Sequence, residues 1–170
     1  MDVGRCPSVV LKECVNLFFS YQRPFCTIVD RDEIEQGLLS PMDDYRQSTY
    51  LIHAVCAMGA LMSDDRHVRE LANPFVASAE SKLSETPFWH SRLDRAQTML
   101  LIAVFAAGRG HISKAWIYSG MAIRITQDLG IDDIWSLSAG QGPQSALSTV
   151  VEKRQRMSLT FTISDKSLQP

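Results

Sequence analysis

The sequence lacks the features that would mark a metal site, a membrane span or a secreted protein. Its four cysteines form no Cys-x-x-Cys pair, and no histidine lies at a metal-ligand spacing from any of them. The apolar runs are too short to cross a membrane. Lys12 and Glu13 interrupt the N-terminal apolar stretch, which argues against a signal peptide. We therefore expect a soluble intracellular protein that has no zinc site.

Basic charge and catalytic motifs are also scarce. The net charge of −2 is unlike that of nucleic-acid modules, which are usually clearly basic. The glycines at 108–110 lack the spacing of a phosphate-binding loop, and no serine lies in a Gly-x-Ser-x-Gly elbow. His53 is interpreted as a satisfied core or boundary histidine, because no carboxylate or nucleophile lies at helical spacing from it. We predict neither an enzyme nor a cofactor.

Apolar residues recur at helical spacing along most of the chain. Gly59 lies inside one of these segments, and its cost of about 1 kcal/mol relative to alanine suggests that another helix approaches closely there. Cys14 and Cys56 fall on apolar faces and are predicted to pack in the core. The pattern predicts an all-α, antiparallel array of six or seven helices. The helical segments cover residues 8–22, a short stretch after Asp30, 45–62, a stretch beginning at Asn73–Pro74, 93–107 and 113–131.

The segment 113–131 is predicted to be the central helix. Ser113 is a suitable N-cap, and Gly130 is suited to the left-handed residue that ends a helix. The apolar stripe between these two residues is broad, which predicts a helix that is enclosed by other helices. Its members are Ala115, Tyr118, Ala122, Ile125 and Leu129, widened by Trp116, Met121 and Ile123.

The composition changes after Trp135. Serine, glycine and proline dominate residues 136–148, which we interpret as a loop or linker. Residues 149–170 are predicted to form a divergent C-terminal helix and a frayed tail, although 160–163 alternate as a strand would. The predicted organisation is a helical domain at 1–135, a linker at 136–148 and a helix with its tail at 149–170.

Four segments in order resemble the fungal-specific transcription factor domain, which is the middle homology region of zinc binuclear cluster regulators. The best of them is AWIYSGMAIR at 115–124 with QDLG at 127–130. The others are FFSYQRPF at 18–25, YLIHAVCAMGA at 50–60, and AQTMLL at 96–101 with GRGHISKAW at 108–116.

This resemblance implies a regulator of transcription in fungal nuclei, of the kind that controls metabolic or secondary-metabolite gene clusters. The six closely spaced cysteines of the family's zinc cluster are absent from this chain, so DNA contact is expected only indirectly or through a zinc cluster that this chain lacks. Action through protein partners, or through self-association of exposed helical faces, is expected instead. The chain is predicted to form the first half of a larger helical regulatory domain.

The resemblance also selects candidate structural or regulatory residues on the segment 113–131. Among them Arg124, Gln127 and Asp128 form a polar side that is predicted to join neighbouring helices in a network. Two alternatives remain open: a generic helical scaffold, or a small ligand-binding protein whose pocket is lined by His53 or Arg124. The candidates are Trp116, Tyr118, Gly120, Met121, Arg124, Gln127, Asp128 and Gly130.

Overall fold

A computed structural model describes residues 6–21, 29–39, 49–85 and 91–130 of the chain. These residues form seven helices and no strand, so the prediction of an all-α helical array is confirmed for the part described. The helices are α1 (Ser8–Tyr21), α2 (Arg31–Leu39), α3 (Thr49–Leu61), α4 (Arg66–Glu70), α5 (Ala72–Glu85), α6 (Leu93–Gly108) and α7 (Ile112–Asp128).

Short polar side chains start two of these helices. The Asp30 carboxylate accepts hydrogen bonds from the amides of Asp32 at 2.8 Å and Glu33 at 3.2 Å, so Asp30 is the N-cap of the helix predicted to follow it. Asp65 caps α4 in the same way by accepting from the amide of His67 at 2.8 Å. Helix α4 was not predicted, because its five residues are too few to establish an apolar period.

Two predicted helix starts are wrong by one residue or more. Helix α5 begins at Ala72, and the Leu71 carbonyl accepts from the amide of Phe75, so Asn73 lies in the first turn rather than at the cap. Helix α7 begins at Ile112, and the His111 carbonyl accepts from the amide of Ala115 at 3.0 Å. Ser113 therefore lies inside α7.

Helix α3 is the centre of the core. Ten of its thirteen residues are buried, and it packs on α1, α2, α4, α5 and α6. The reason is its composition, since apolar or small side chains cover the whole circumference of α3 and leave no face that favours water. The central helix of the core is therefore α3, and not the segment 113–131 that was predicted from sequence to be central.

Helix α7 is a peripheral helix, so the prediction that it is central is wrong. Ala115 and Ala122 are its buried residues, and large apolar side chains elsewhere on it are exposed. A broad apolar circumference permits burial on several sides, but only the positions of the other helices decide whether neighbours are present.

Helices α1 and α3 cross at Gly59. A Cβ atom added to Gly59 would lie 1.8 Å from the carbonyl oxygen of Cys14, so no side chain fits between the two helices. Cys14 and Cys56 are fully buried free thiols beside this crossing. The predicted close approach at Gly59 and the predicted core positions of both cysteines are confirmed.

The chain divides into two compact units, residues 1–125 and 126–170. Of the second unit the structure describes Thr126–Gly130, which includes the end of α7. Gly130 has the predicted left-handed backbone, with φ of +67°, and its amide donates to the Gln127 carbonyl at 2.9 Å. The predicted linker at 136–148 and the predicted helix and tail at 149–170 lie outside the described residues, and the predicted domain limits stay predictions.

Candidate functional site

The inner side of α7 rests on the core along a narrow strip. Ala115 and Ala122 are 9% and 4% exposed, and small side chains there allow the helix to approach closely. Lys114 fixes the start of the helix, because its Nζ lies 2.6 Å from Oε1 of Glu80 on α5. Burial, and then the negative charge of Glu80, raise the pKa of Tyr118 to about 12. Tyr118 is therefore neutral and anchored at the edge of the core.

Another side of α7, about 60–120° around the helix from the two alanines for most of its residues, presents apolar side chains to solvent. Trp116 is 76% exposed, Ile117 63%, Ile112 55% and Ile123 54%. At about 100° per residue, Ile112, Trp116, Gly120 and Ile123 fall within about 80° of the helix circumference. A Cβ atom at Gly120 would meet nothing within 4 Å. We call these residues, Ile112, Trp116, Ile117, Gly120 and Ile123, the α7 outer face.

The α7 outer face corrects the prediction that Trp116 and Ile123 widen a buried stripe. The arc of Ala115, Tyr118 and Ala122 is the one that meets the core, and Trp116 lies about 100° around the helix from Ala115. Several large apolar side chains on one exposed face are typical of an interaction surface.

The candidate residues of α7 do not form one site. Tyr118 and Met121 are half-buried on the inner side, while Trp116 and Gly120 lie on the outer face. Arg124 is exposed and belongs to none of the four ion pairs found among the described residues, so the predicted polar network is not seen at this residue. Gln127 and Asp128 are also exposed, and Gly130 terminates the helix.

Sequence reasoning did not select Ile112, Ile117 and Ile123 as candidate site residues. The available signal is the presence of isoleucine or tryptophan at positions of α7 that do not share the arc of Ala115 and Ala122. Periodicity alone is consistent with burial on all sides of the helix and equally with an exposed interaction face.

A buried polar cluster joins the start of α6 to the start of α3. Arg92 and Asp94 form a two-pronged ion pair, with Nε–Oδ1 at 3.1 Å and Nη2–Oδ2 at 2.7 Å. The Asp94 side chain is 8% exposed, and the neighbouring Arg95 is 1% exposed. Burial and the negative charge of Asp94 raise the pKa of Tyr50, on α3, to about 12. The hydrogen bond to Asp94 raises the pKa of Arg92.

This cluster links the starts of two helices and shows no arrangement typical of catalysis. The pKa values of Arg92 and Tyr50 are both raised, so Arg92 is charged and Tyr50 is neutral near pH 7. The sequence signal is the pair Asp94-Arg95 in the first turn of a mainly apolar helix whose N-cap is Arg92, but charges at a helix start are also ordinary features of a surface.

His53 lies in the core, as predicted, but it lacks the expected hydrogen bond at one nitrogen. It is 3% exposed, its Nδ1 has no hydrogen-bond partner, and its ring centroid lies 6.1 Å from that of Phe75. Burial, helped by the positive charge of Lys82, lowers the pKa of His53 to about 4. The side chain is therefore a neutral core residue near pH 7.

Neither a metal cluster nor a membrane helix is found in the described parts of the chain. No group of three or more histidine, cysteine, aspartate or glutamate side chains there could hold a metal ion. No helix in the same ranges is long and apolar enough to cross a membrane.

The described residues form an all-helical unit that exposes an apolar face on α7. The family model described as the fungal specific transcription factor domain matches residues 15–158. The chain belongs to this family. The predicted family is thus confirmed, and its members of known role regulate transcription rather than catalyse reactions.

Several curated proteins are similar to the chain. Two uncharacterized transcriptional regulatory proteins of Schizosaccharomyces pombe are 30% identical over 163 residues and 34% identical over 127 residues. These alignments cover 94% and 72% of this chain, and 25% and 35% of the two relatives. The nitrogen assimilation transcription factor nit-4 of Neurospora crassa is 28% identical over 80% of the chain and 14% of its own length. No solved structure matches.

Proposed function

We propose that this chain regulates transcription in the fungal nucleus through protein contacts of its helical unit, rather than through direct contact with DNA. The observation that carries the proposal is the α7 outer face, where four large apolar side chains are more than half exposed. Water is unfavourable for such a surface, and a protein surface of similar chemistry would cover it. The net charge of −2 supports the absence of direct DNA contact.

The occupant that we propose for the α7 outer face is a second copy of the chain. The arc of Ile112, Trp116, Gly120 and Ile123 carries no charged side chain, because Lys114 lies on the other side of the helix and pairs with Glu80, and Arg124 lies about 40° beyond Gly120. Two copies of this arc can therefore meet through uncharged side chains, with Arg124 at its edge. Gly120 leaves an open surface beside Trp116, which a partner side chain can fill.

Analytical ultracentrifugation of the purified chain tests the self-association. We expect a concentration-dependent dimer that dissociates in the double variant Trp116→Gln, Ile123→Gln. The control is Val9→Gln, because Val9 is 73% exposed but lies on α1. A wild-type chain that stays a monodisperse monomer and does not bind a hydrophobic dye would contradict this part of the proposal.

A tethered reporter tests the regulatory role. The chain is fused to an unrelated DNA-binding domain in yeast, and transcription is measured at a promoter that carries the matching site. We expect a change in reporter output that the double variant loses and Val9→Gln keeps. No effect of the wild-type fusion would argue against a regulatory role. In a mobility-shift assay, the unfused chain should bind no specific DNA.

We propose further that the controlled genes form a metabolic or secondary-metabolite cluster. The support is the name of one relative, a nitrogen assimilation transcription factor, together with the family membership. Deletion of the gene followed by RNA sequencing tests this point. We expect changes concentrated in contiguous biosynthetic genes, whereas unchanged transcripts or scattered unrelated ones would contradict it.

A further inference from the structure

A cleft of about 410 Å³ opens among α5, the end of α6 and the start of α7. Its floor is apolar and consists of buried side chains, chiefly Val76, Ile102 and Phe105. Its rim is polar and includes Glu80, Arg109, His111 and Lys114. Small-molecule sites typically have volumes of about 300–1,000 Å³ and combine apolar walls with a few polar groups. The cleft has the size and the mixed lining of such a site.

The charges on the rim are unequal. Glu80 is matched by Lys114, whose Nζ lies 2.6 Å from Oε1. Arg109 belongs to none of the ion pairs among the described residues, and its guanidinium carbon lies 5.4 Å from the centroid of the Phe105 ring. The ring holds the guanidinium by a cation–π contact. The cleft therefore presents an arginine of unmatched charge directly beside its apolar floor.

We propose that this cleft binds a small organic acid with a carboxylate attached to an aromatic or aliphatic body. The planar guanidinium of Arg109 can donate two parallel hydrogen bonds to a carboxylate, which is the geometry that arginine provides best. The body of the ligand then lies on Val76 and Phe105. A ligand cation is disfavoured, because the carboxylate of Glu80 is already paired with Lys114.

This site goes beyond the proposed function and uses different residues. The cleft faces α5 and α6, while the α7 outer face consists of residues that do not line it. Failure of ligand binding would leave the self-association untouched, and the reverse also holds.

Titration of the 170-residue chain with benzoate and hexanoate, followed by amide chemical shifts in NMR spectra, tests the proposal. We expect saturable shifts at the cleft residues with a Kd of about 1 mM, which is reasonable for ligands of about ten heavy atoms. The neutral analogue benzamide should bind about tenfold more weakly, since it lacks the charge-assisted hydrogen bonds.

Matched variants locate the site. Arg109→Gln should weaken benzoate binding about tenfold. Arg66→Gln makes the same charge change on α4, where the Arg66 side chain is 83% exposed, and should leave binding unchanged. Ala77→Phe, at an exposed position of the lining, should fill the cleft and abolish binding while the circular dichroism spectrum stays that of the wild type.

Four outcomes would overturn the proposal. They are the absence of saturable binding, equal affinity for benzoate and benzamide, unchanged benzoate affinity in Arg109→Gln, and equal weakening in Arg66→Gln. Inorganic phosphate is the remaining probe. We expect it to bind more weakly than benzoate, and equal affinity would reduce the cleft to a surface that attracts any anion.

Discussion

Gly59 and Gly120 both lie inside helices, but their surroundings differ in a way that can be measured. A Cβ atom at Gly59 would overlap the backbone of Cys14, whereas a Cβ atom at Gly120 would project into open space. Backbone atoms in a helix crossing cannot move aside as a flexible side chain can. A substitution to alanine at Gly59 therefore tests the packing of two helices, whereas the same substitution at Gly120 tests only the intrinsic helix propensity.

We predict opposite effects of the same substitution at these two sites. Gly59→Ala should destabilise the chain by about 2 kcal/mol or more, because overpacking outweighs the propensity gain of about 1 kcal/mol. Gly120→Ala should stabilise it by up to about 1 kcal/mol. Urea unfolding followed by circular dichroism measures both. A neutral Gly59→Ala would show that α1 does not press on α3 in solution.

His53 should make the stability depend on pH. The pKa of His53 is lowered to about 4 from an ordinary value of 6.5, so between these values the unfolded chain binds more protons than the folded chain. Stability from this group is complete above about pH 6.5 and is lost as the pH falls toward 4. We expect a loss of about 2 kcal/mol between about pH 7 and pH 4.5.

The matched variant for His53 is His53→Leu, which has no titrating group. Comparison of the two unfolding curves at each pH removes the contribution of the carboxylates, which are common to both chains. The difference in stability between them should shift by about 2 kcal/mol across the interval. A constant difference would mean that the imidazole of His53 is not buried.

The ion pair of Arg92 with Asp94, and the absence of Arg124 from the observed ion pairs, predict different losses of stability on substitution. Asp94→Ala should cost about 2–3 kcal/mol, because it removes the partner of Arg92 and a negative charge beside the buried Arg95. Arg124→Ala should change stability by less than about 0.5 kcal/mol, since Arg124 is exposed and outside the observed ion pairs. Thermal melts of both variants measure this contrast. A large loss of stability in Arg124→Ala would support the polar network that was predicted from sequence.

At the scale of a single element, α7 is held by a strip of small residues. Ala122 is 4% exposed against the core, while Trp116, about 120° around the helix from it, is 76% exposed. The larger side chain of this pair contributes less to the packing of the helix. Helix α7 is therefore sensitive to added volume on its inner side and tolerant of polar substitution on its outer face.

Two substitutions test this arrangement of α7. Ala122→Leu should destabilise the chain by about 1–3 kcal/mol, because the added atoms have no space against the core. Trp116→Ser should change stability by less than about 0.5 kcal/mol when measured at a concentration where the chain is monomeric. Denaturant midpoints give both values. A large loss in Trp116→Ser under that condition would place the indole in the core.

At the scale of the whole molecule, α3 and the five helices that pack on it should unfold together in one cooperative transition. Cys14 and Cys56, both fully buried, report on this core from α1 and α3. Burial raises the pKa of Cys14 to about 12 and also raises the pKa of Cys56, so neither thiol is reactive near pH 8 in the folded chain.

We predict that both thiols become reactive only on global unfolding. Labelling by a thiol reagent at increasing urea concentrations, resolved by peptide mass spectrometry, should give the same midpoint for Cys14 and Cys56 as circular dichroism gives for helix loss. Exposed thiols of the unfolded chain provide the reference rate. Earlier labelling of either cysteine would show that α1 separates from α3 before the core unfolds.

Most helices of the described residues could be located from sequence, because their causes are local. The apolar period of residues 8–21, the side-chain cap at Asp30 and the left-handed Gly130 depend on neighbours within a few residues. The family, too, could be recognised from four ordered segments. The short helix α4 could not, since five residues carry too little pattern.

The arrangement of these helices was decided only by tertiary packing. Helices α3 and α7 both have broad apolar circumferences, yet α3 is enclosed by five helices and α7 is covered on one side. Periodicity reports how much of a helix surface is apolar, and not which part of it meets another helix. Trp116 lies exposed on α7 and Asp94 lies buried on α6 for the same physical reason, since burial depends on distant segments that no local pattern specifies.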